Sequence, residues 1–176
     1  MAKNTIDTSG PDKVINDLKK ALTTRYKGAK AGYLTHDKGK IPYEDTNPPD
    51  LEHVALWNEF GTERIPARPF IRNAQNKVNA VAPKIVQARM EENADIEKIC
   101  SDIGLTMQRI LKESITRGTY IPNAPITIEG GWMRSKNGKP FFVKGKKSTR
   151  PLVDTHNLVQ SIHWGIKTET GDVMKG

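Results

Sequence analysis

The chain has almost none of the residues from which reactive centres and cross-links are built. One cysteine, Cys100, stands among 176 residues, so an internal disulfide is excluded and a reducing compartment is the natural expectation. Cys100 follows Ile99 beside the apolar face of a helical pattern, where a thiol packs as a small hydrophobe. The four histidines, His36, His53, His156 and His163, show no metal-ligand spacing, and there is no CxxC or HExxH. GxGxxG, Walker-type and GxSxG loops are missing as well. Asp154 and His156 lie close in sequence, but no evident nucleophile or oxyanion site accompanies them. No enzymatic activity, no metal and no cofactor is therefore expected. Apolar runs fall short of the roughly 20 residues that span a bilayer. The opening MAKNTIDTSGPDK lacks the apolar stretch of a signal peptide. The expectation is a soluble protein made in the cytoplasm, with no membrane partner.

Hydrophobic residues are also sparse, at 36%, which predicts a modest core and a largely polar surface. Charge is plentiful and unbalanced, with 28 Lys and Arg against 20 Asp and Glu, a net charge of +8. An acidic partner is one reading of that excess; solubility alone is the other, and the weightier. Most of the excess sits in one place. Residues 129–150, EGGWMRSKNGKPFFVKGKKSTR, hold seven Lys or Arg and one Glu, a local charge of +6, with Trp132, Phe141 and Phe142 among them.

Periodicity places the rest. Residues 1–10 are polar and read as a flexible N-terminus, and residues 11–176 as a single domain. Val14, Leu18, Leu22 and Tyr26 recur at intervals of four and predict a helix that Gly28 stops. AKAGYLT, residues 29–35, reads as a short strand, and residues 36–50 as a loop. Asp50 is an N-cap candidate for LEHVALWNEF, which Gly61 closes. Pro69 suits the first turn of a helix carrying Ile71, Ala74, Val78, Val81 and Ile85 on one stripe. Pro83 predicts a kink or break in it near Asn79 to Val81. A further helix, from Asp95 to Arg117, presents Ile96, Ile99, Ile103, Met107 and Ile110, and at about 1.5 Å per residue is about 35 Å long. Ile126–Ile128 is a strand candidate, residues 151–161 a turn with a short helix, and IHWGIKT a strand with Ile162, Trp164 and Ile166 alternating. The fold class is α+β: a small antiparallel or mixed sheet packed against two long helices, with a basic inserted arm at 129–150.

Three stretches together resemble a known family. They are VALWNEFGTERIPARPFIRNA (residues 54–74), GTYIPNAPITI (118–128) and RPLVDTHNLVQSIHWGI (150–166). They are similar to the tail-completion or neck proteins of long-tailed bacteriophages, a group that includes the minor tail protein Z of phage lambda. Asn58 to Thr62, Ile65, Pro66, Arg68, Pro69 and Phe70 match the first signature of that family. Pro151, Leu152, Asp154, Thr155, Leu158, Ser161 and Ile162 match the last. Two departures stand out. His156 replaces a usual glycine, which costs roughly 1 kcal/mol or more if that position needs positive φ. The 129–150 segment is longer than the usual linker. The resemblance implies a structural virion protein of the phage neck, which completes the tail and joins it to the head. It implies a homo-oligomeric ring, with six copies by tail symmetry. Tail tube or tail terminator proteins, and head-closure or connector proteins, would be its partners, and DNA passing through the neck would be nearby. A head-closure or adaptor role is the alternative within the same class. A basic nucleic-acid-binding protein is the alternative outside it.

The residue types give the assembly candidates. Trp57, Phe60, Arg64, Arg68, Phe70 and Arg72 cluster in the first signature. Pro66 and Pro69 stiffen the connector that delivers Phe70. Phe70 is equally readable as core, with the charges around it solvated. Glu59 and Glu63 are ion-pair candidates within or between subunits. Asp154 and Thr155 read as caps for LVQSI, with no further role. In the basic segment Trp132, Phe141, Phe142, Lys144 and Lys146 are candidates for either of two uses. One is DNA contact through phosphates and stacking. The other, favoured, is a protein-binding arm whose Phe141–Val143 run pairs as a strand at a sheet edge.

Overall fold

The computed structural model describes Ile15 and residues 26–34, 50–153 and 156–174, with only the backbone at Asp172 and Met174. The expected N-terminal segment at 1–10, the helical repeat through Val14, Leu18 and Leu22, nearly all of the 36–50 loop, and the Asp154 and Thr155 caps lie outside those residues. The described elements run β1 (Tyr26–Gly32), α1 (Leu51–Phe60), α2 (Phe70–Glu91), α3 (Ile96–Arg117), α4 (Pro125–Glu129), β2 (Gly130–Arg134), β3 (Pro140–Lys144), α5 (Asn157–Gln160), β4 (His163–Thr168) and β5 (Gly171–Met174). The fold class is α+β, and both sheets are small and antiparallel.

Helix boundaries follow capping chemistry. Asp50 caps α1 by accepting the His53 N–H, and Asp95 caps α3 by accepting the Lys98 N–H. α2 and α3 are joined by residues 92–95 and run antiparallel. Arg89, late in α2, pairs with Asp102, early in α3, and the Ser114 hydroxyl, late in α3, donates to the Phe70 carbonyl at the start of α2. α2 continues through Pro83, so the expected kink or break is not a break. Pro83 and Asn79 are both exposed, so water can reach the carbonyl that loses its partner.

The three-stranded sheet has the order β1-β4-β5. It covers the first half of α3, where Cys100, Trp164 and Ile166 are buried with Ala29, Ala31 and Ile96 against them. Burial raises the Cys100 thiol pKa, as expected for a packed, unreactive thiol. The Trp164 ring lies against Gly104, leaving no room for a Cβ there. The second half of α3 meets α1, α2 and α5 in the larger core, around Phe70, Ile110, Ile115, Leu158 and Ile162. The Tyr33 hydroxyl donates to the Leu158 carbonyl and ties the end of β1 to α5.

Two expectations are corrected, and one element is new. Tyr26 and Gly28 belong to β1, not to the end of a helix. The pairing register with β4 slips between them, and Gly28 sits at φ 137°, so this glycine serves a β-bulge. Ile126–Ile128 is one helical turn, not a strand. Pro125 opens it, and the Ala124 carbonyl accepts from Thr127 and Ile128. β5 has no counterpart in the sequence reading, because Gly171–Met174 is too short to show a pattern.

His156 does occupy the left-handed region, at φ 63°. His156→Gly should therefore raise stability by about 1 kcal/mol, read as a higher urea midpoint with unchanged slope. Gly104→Ala should lower it by about 1–3 kcal/mol, because the new methyl meets the Trp164 ring.

Candidate functional site

The first signature is built around a tight reversal. Gly61 ends α1 at φ 79°, and its N–H donates to Trp57. A Cβ at Gly61 would come within 2.9 Å of the Ala67 nitrogen and the Ile65 oxygen, so the connector folds back onto the helix end only because this residue is glycine. The Thr62 hydroxyl accepts from Arg64 and Ile65, and the Arg68 N–H donates to the Asn58 carbonyl at 2.6 Å.

This reversal turns two charged side chains inward. Arg68 is 5% exposed. Its Nε donates to the Ile121 carbonyl at 3.0 Å, and its terminal nitrogens to Asn58 Oδ1, the Pro122 carbonyl and Asn123 Oδ1 at 3.1–3.3 Å. Asn123 in turn donates to the Arg150 carbonyl at 3.2 Å. Burial lowers the guanidinium pKa, but arginine keeps its charge, so neutral oxygens stabilise the cation. Glu59 is 2% exposed and lies at the start of α2. Its carboxylate accepts from the backbone N–H groups of Ile71 at 2.7 Å and Arg72 at 3.1 Å, and from Arg72 Nε at 3.2 Å. α2 has no side-chain cap of its own at Pro69, so Glu59 supplies one from α1 and meets the positive end of the helix dipole.

Arg68 and Phe70, expected among the interface residues, are thus interior. Phe70 is fully buried between α2 and α3, and the Arg68 guanidinium makes four hydrogen bonds within the chain. The other candidates divide into two surfaces. On α1, Trp57 and Phe60 are exposed, Phe60 at 65%, and Leu56 joins them. With His53 they occupy positions i, i+3, i+4 and i+7, a single outward stripe, while Leu51, Ala55 and Glu59 face inward. Arg72 lies over the Phe60 ring at 5.6 Å, and His53 lies beside Trp57 with ring centroids 6.1 Å apart. Arg64 is exposed in the connector beside this stripe.

The second surface is a hairpin. β2 and β3 pair with each other, Trp132 opposite Phe142 and Met133 opposite Phe141, so the expected apolar strand finds its partner within the arm itself. Trp132 is 73% and Phe142 60% exposed, and the two rings meet edge to face at 5.5 Å. Arg134 and Lys144 share that face by alternation. Phe141 and Met133 lie on the other face, also exposed. Lys146 is half-buried at the base, where its N–H donates to Thr127. Inside the chain the hairpin packs on α4. Gly130 and Gly145 cross there so closely that a Cβ on either would strike the other strand.

Comparison of the chain with family models, curated proteins and solved structures finds no match. Among the described residues no group of three or more His, Cys, Asp and Glu is placed to hold a metal ion. No described helix is long and apolar enough to cross a membrane.

The sequence reading missed Leu56 and Met133, although the spacing of 53, 56, 57 and 60 carried the signal for the first. The inward roles of Glu59, Arg68 and Asn123 had no such signal, since each depends on a partner distant in sequence or across the reversal. Arg68→Met should lower stability by about 3 kcal/mol, because four oxygens lose their donor, the one on Asn123 in a buried place. Arg68→Lys should recover only part of that, since an ammonium cannot reproduce the planar fork. Urea unfolding curves of the two variants check both statements.

Proposed function

We propose that the protein is a non-catalytic structural part of a tailed-bacteriophage neck. It completes the tail and joins it to the head as a subunit of an oligomeric ring. One observation carries the proposal. The three stretches that resemble tail-completion proteins are far apart in sequence, yet two of them meet at one guanidinium and the third joins them through Asn123. Arg68 holds Asn58 of the first and Ile121, Pro122 and Asn123 of the second, and Asn123 holds Arg150 of the third. Asn58 and Arg68 match the family pattern, and a hydrogen-bond network that joins them to the other two stretches supports a shared fold. The exposed aromatic groups on α1 and on the β2–β3 hairpin leave this scaffold with contact surfaces, and such groups dominate protein–protein binding energy.

In this role the subunit acts by binding: to its own copies, to tail tube or tail terminator proteins on one side, and to head-closure or connector proteins on the other. Six copies would follow from tail symmetry. Inactivating the gene in the phage that encodes it should leave filled heads and finished tails unjoined in electron micrographs. Normal joined particles would overturn the reading.

A nucleic-acid-binding role is the second reading, favoured by the cationic hairpin with its exposed Trp132 and Phe142. It requires duplex affinity that falls steeply with salt and disappears when Lys144, Lys146 and Lys147 are replaced by Glu. Binding that ignores both changes, or no binding at low salt, removes it.

A further inference from the structure

Building on the assembly reading, we propose that the β2–β3 hairpin of one copy seats on the α1 stripe of a second copy, in a head-to-tail contact. Both surfaces are apolar, aromatic and uncovered within the described chain. Leu56, Trp57 and Phe60 form the stripe, and Trp132 and Phe142 lead one face of the hairpin. Five paired residues make the hairpin about 15 Å long at the usual rise per residue, enough to lie along the three turns of a ten-residue helix.

Charge selects the partner. Around the stripe stand four acids (Asp50, Glu52, Glu59 and Glu63) and two arginines, Arg64 beside it and Arg72 over the Phe60 ring, a net charge of −2. Of the acids, Asp50, Glu52 and Glu63 are exposed around it, while Glu59 faces inward. Residues 130–147, which contain the hairpin, hold six bases (Arg134, Lys136, Lys139, Lys144, Lys146 and Lys147) and no acid. Hairpin against hairpin would bring like charges together, and so would stripe against stripe. Hairpin against stripe brings a strongly basic segment to a net-acidic one with aromatic groups between them, which is electrostatic complementarity at an apolar contact. A DNA or membrane partner would suit the hairpin but would leave the net-acidic stripe uncovered. A contact between two different patches repeats from copy to copy, so it closes into a ring or extends as a filament.

The hairpin also has the mechanical form for such a contact. Its base is fixed by the Gly130–Gly145 crossing and by hydrogen bonds from Lys146 to Thr127 and Lys147 to Ile128, while both faces beyond the base are largely exposed. The arm is therefore fixed to α4 without being covered.

The test uses the full chain and two charge reversals. One carries Lys139→Glu and Lys144→Glu in the hairpin, the other Glu52→Lys and Glu63→Lys beside the stripe. Sedimentation of the unaltered protein should show reversible self-association. Each reversed variant alone should associate about tenfold or more weakly, because like charges then meet. Mixing the two variants should restore association, since each hairpin then faces a stripe of opposite sign. In a second measurement Phe60→Cys and Phe142→Cys proteins are oxidised separately and together, with Cys100 buried and out of reach. The mixture should form the cross-linked dimer, and neither protein alone should do so efficiently. The proposal is overturned by Phe142→Cys cross-linking chiefly to itself, by association that ignores both reversals, or by no association and no cross-link. It is equally overturned if hairpin reversal abolishes binding to duplex DNA or to anionic vesicles but leaves self-association intact. These assays read the purified chain alone, whereas head–tail joining is read in whole particles, so either idea can fail without the other.

Discussion

Arg68 carries its charge into a place where no carboxylate meets it, and that arrangement sets the geometry of everything around it. A buried guanidinium costs several kcal/mol in desolvation unless its donors are answered. Here the answers come from side-chain and backbone oxygens on two separate segments, Asn58 on α1 and Ile121 to Asn123 after α3. Each of those oxygens has to be held within hydrogen-bond reach at once. The Gly61 reversal, the two prolines of the connector and the turn after α3 are therefore mutually dependent. Glu59 adds the complementary constraint from the same helix, because its carboxylate fixes where α2 starts.

The consequence is a division of labour along α1. Its inner side, with Leu51, Ala55, Asn58 and Glu59, is committed to the chain's own interior, through apolar packing and through the two polar nodes. Its outer side, with Leu56, Trp57 and Phe60, has no such commitment. A short helix with apolar residues on both sides is stable on the surface only because one side is firmly anchored. The same logic applies to the hairpin. An isolated two-stranded ribbon is marginal in water, and this one gains support from the Trp132–Phe142 pair and from its glycine-crossed base. Both exposed surfaces are thus held by local structure and remain available for contact.

Much of the scaffold was legible because its signals are local. Asp50 and Asp95 cap helices through side-chain oxygens three residues from the N–H they accept, and such spacing can be read directly. The alternation of Ile162, Trp164 and Ile166 likewise marks a strand with a buried face. Pro83, Gly28 and Ile126–Ile128 misled for one shared reason. Each has a default local meaning (break, stop, strand) that its surroundings overrode. Solvent reaches the exposed turn at Pro83, pairing with β4 turns Gly28 into a bulge, and a proline start winds residues 125–129 into a turn of helix.

By itself the sequence determined the α+β class, the two long helices and the basic aromatic arm. These rest on periodicity, capping and composition, which act over a few residues. Only the tertiary structure decided which side of each signature residue faces inward. Arg68 and Phe70 look like their neighbours Arg64 and Phe60 in sequence, yet one pair is buried and the other exposed. The difference comes from the reversal at Gly61 and from partners more than fifty residues away at Ile121, Pro122 and Asn123, and no local pattern encodes a partner at that separation.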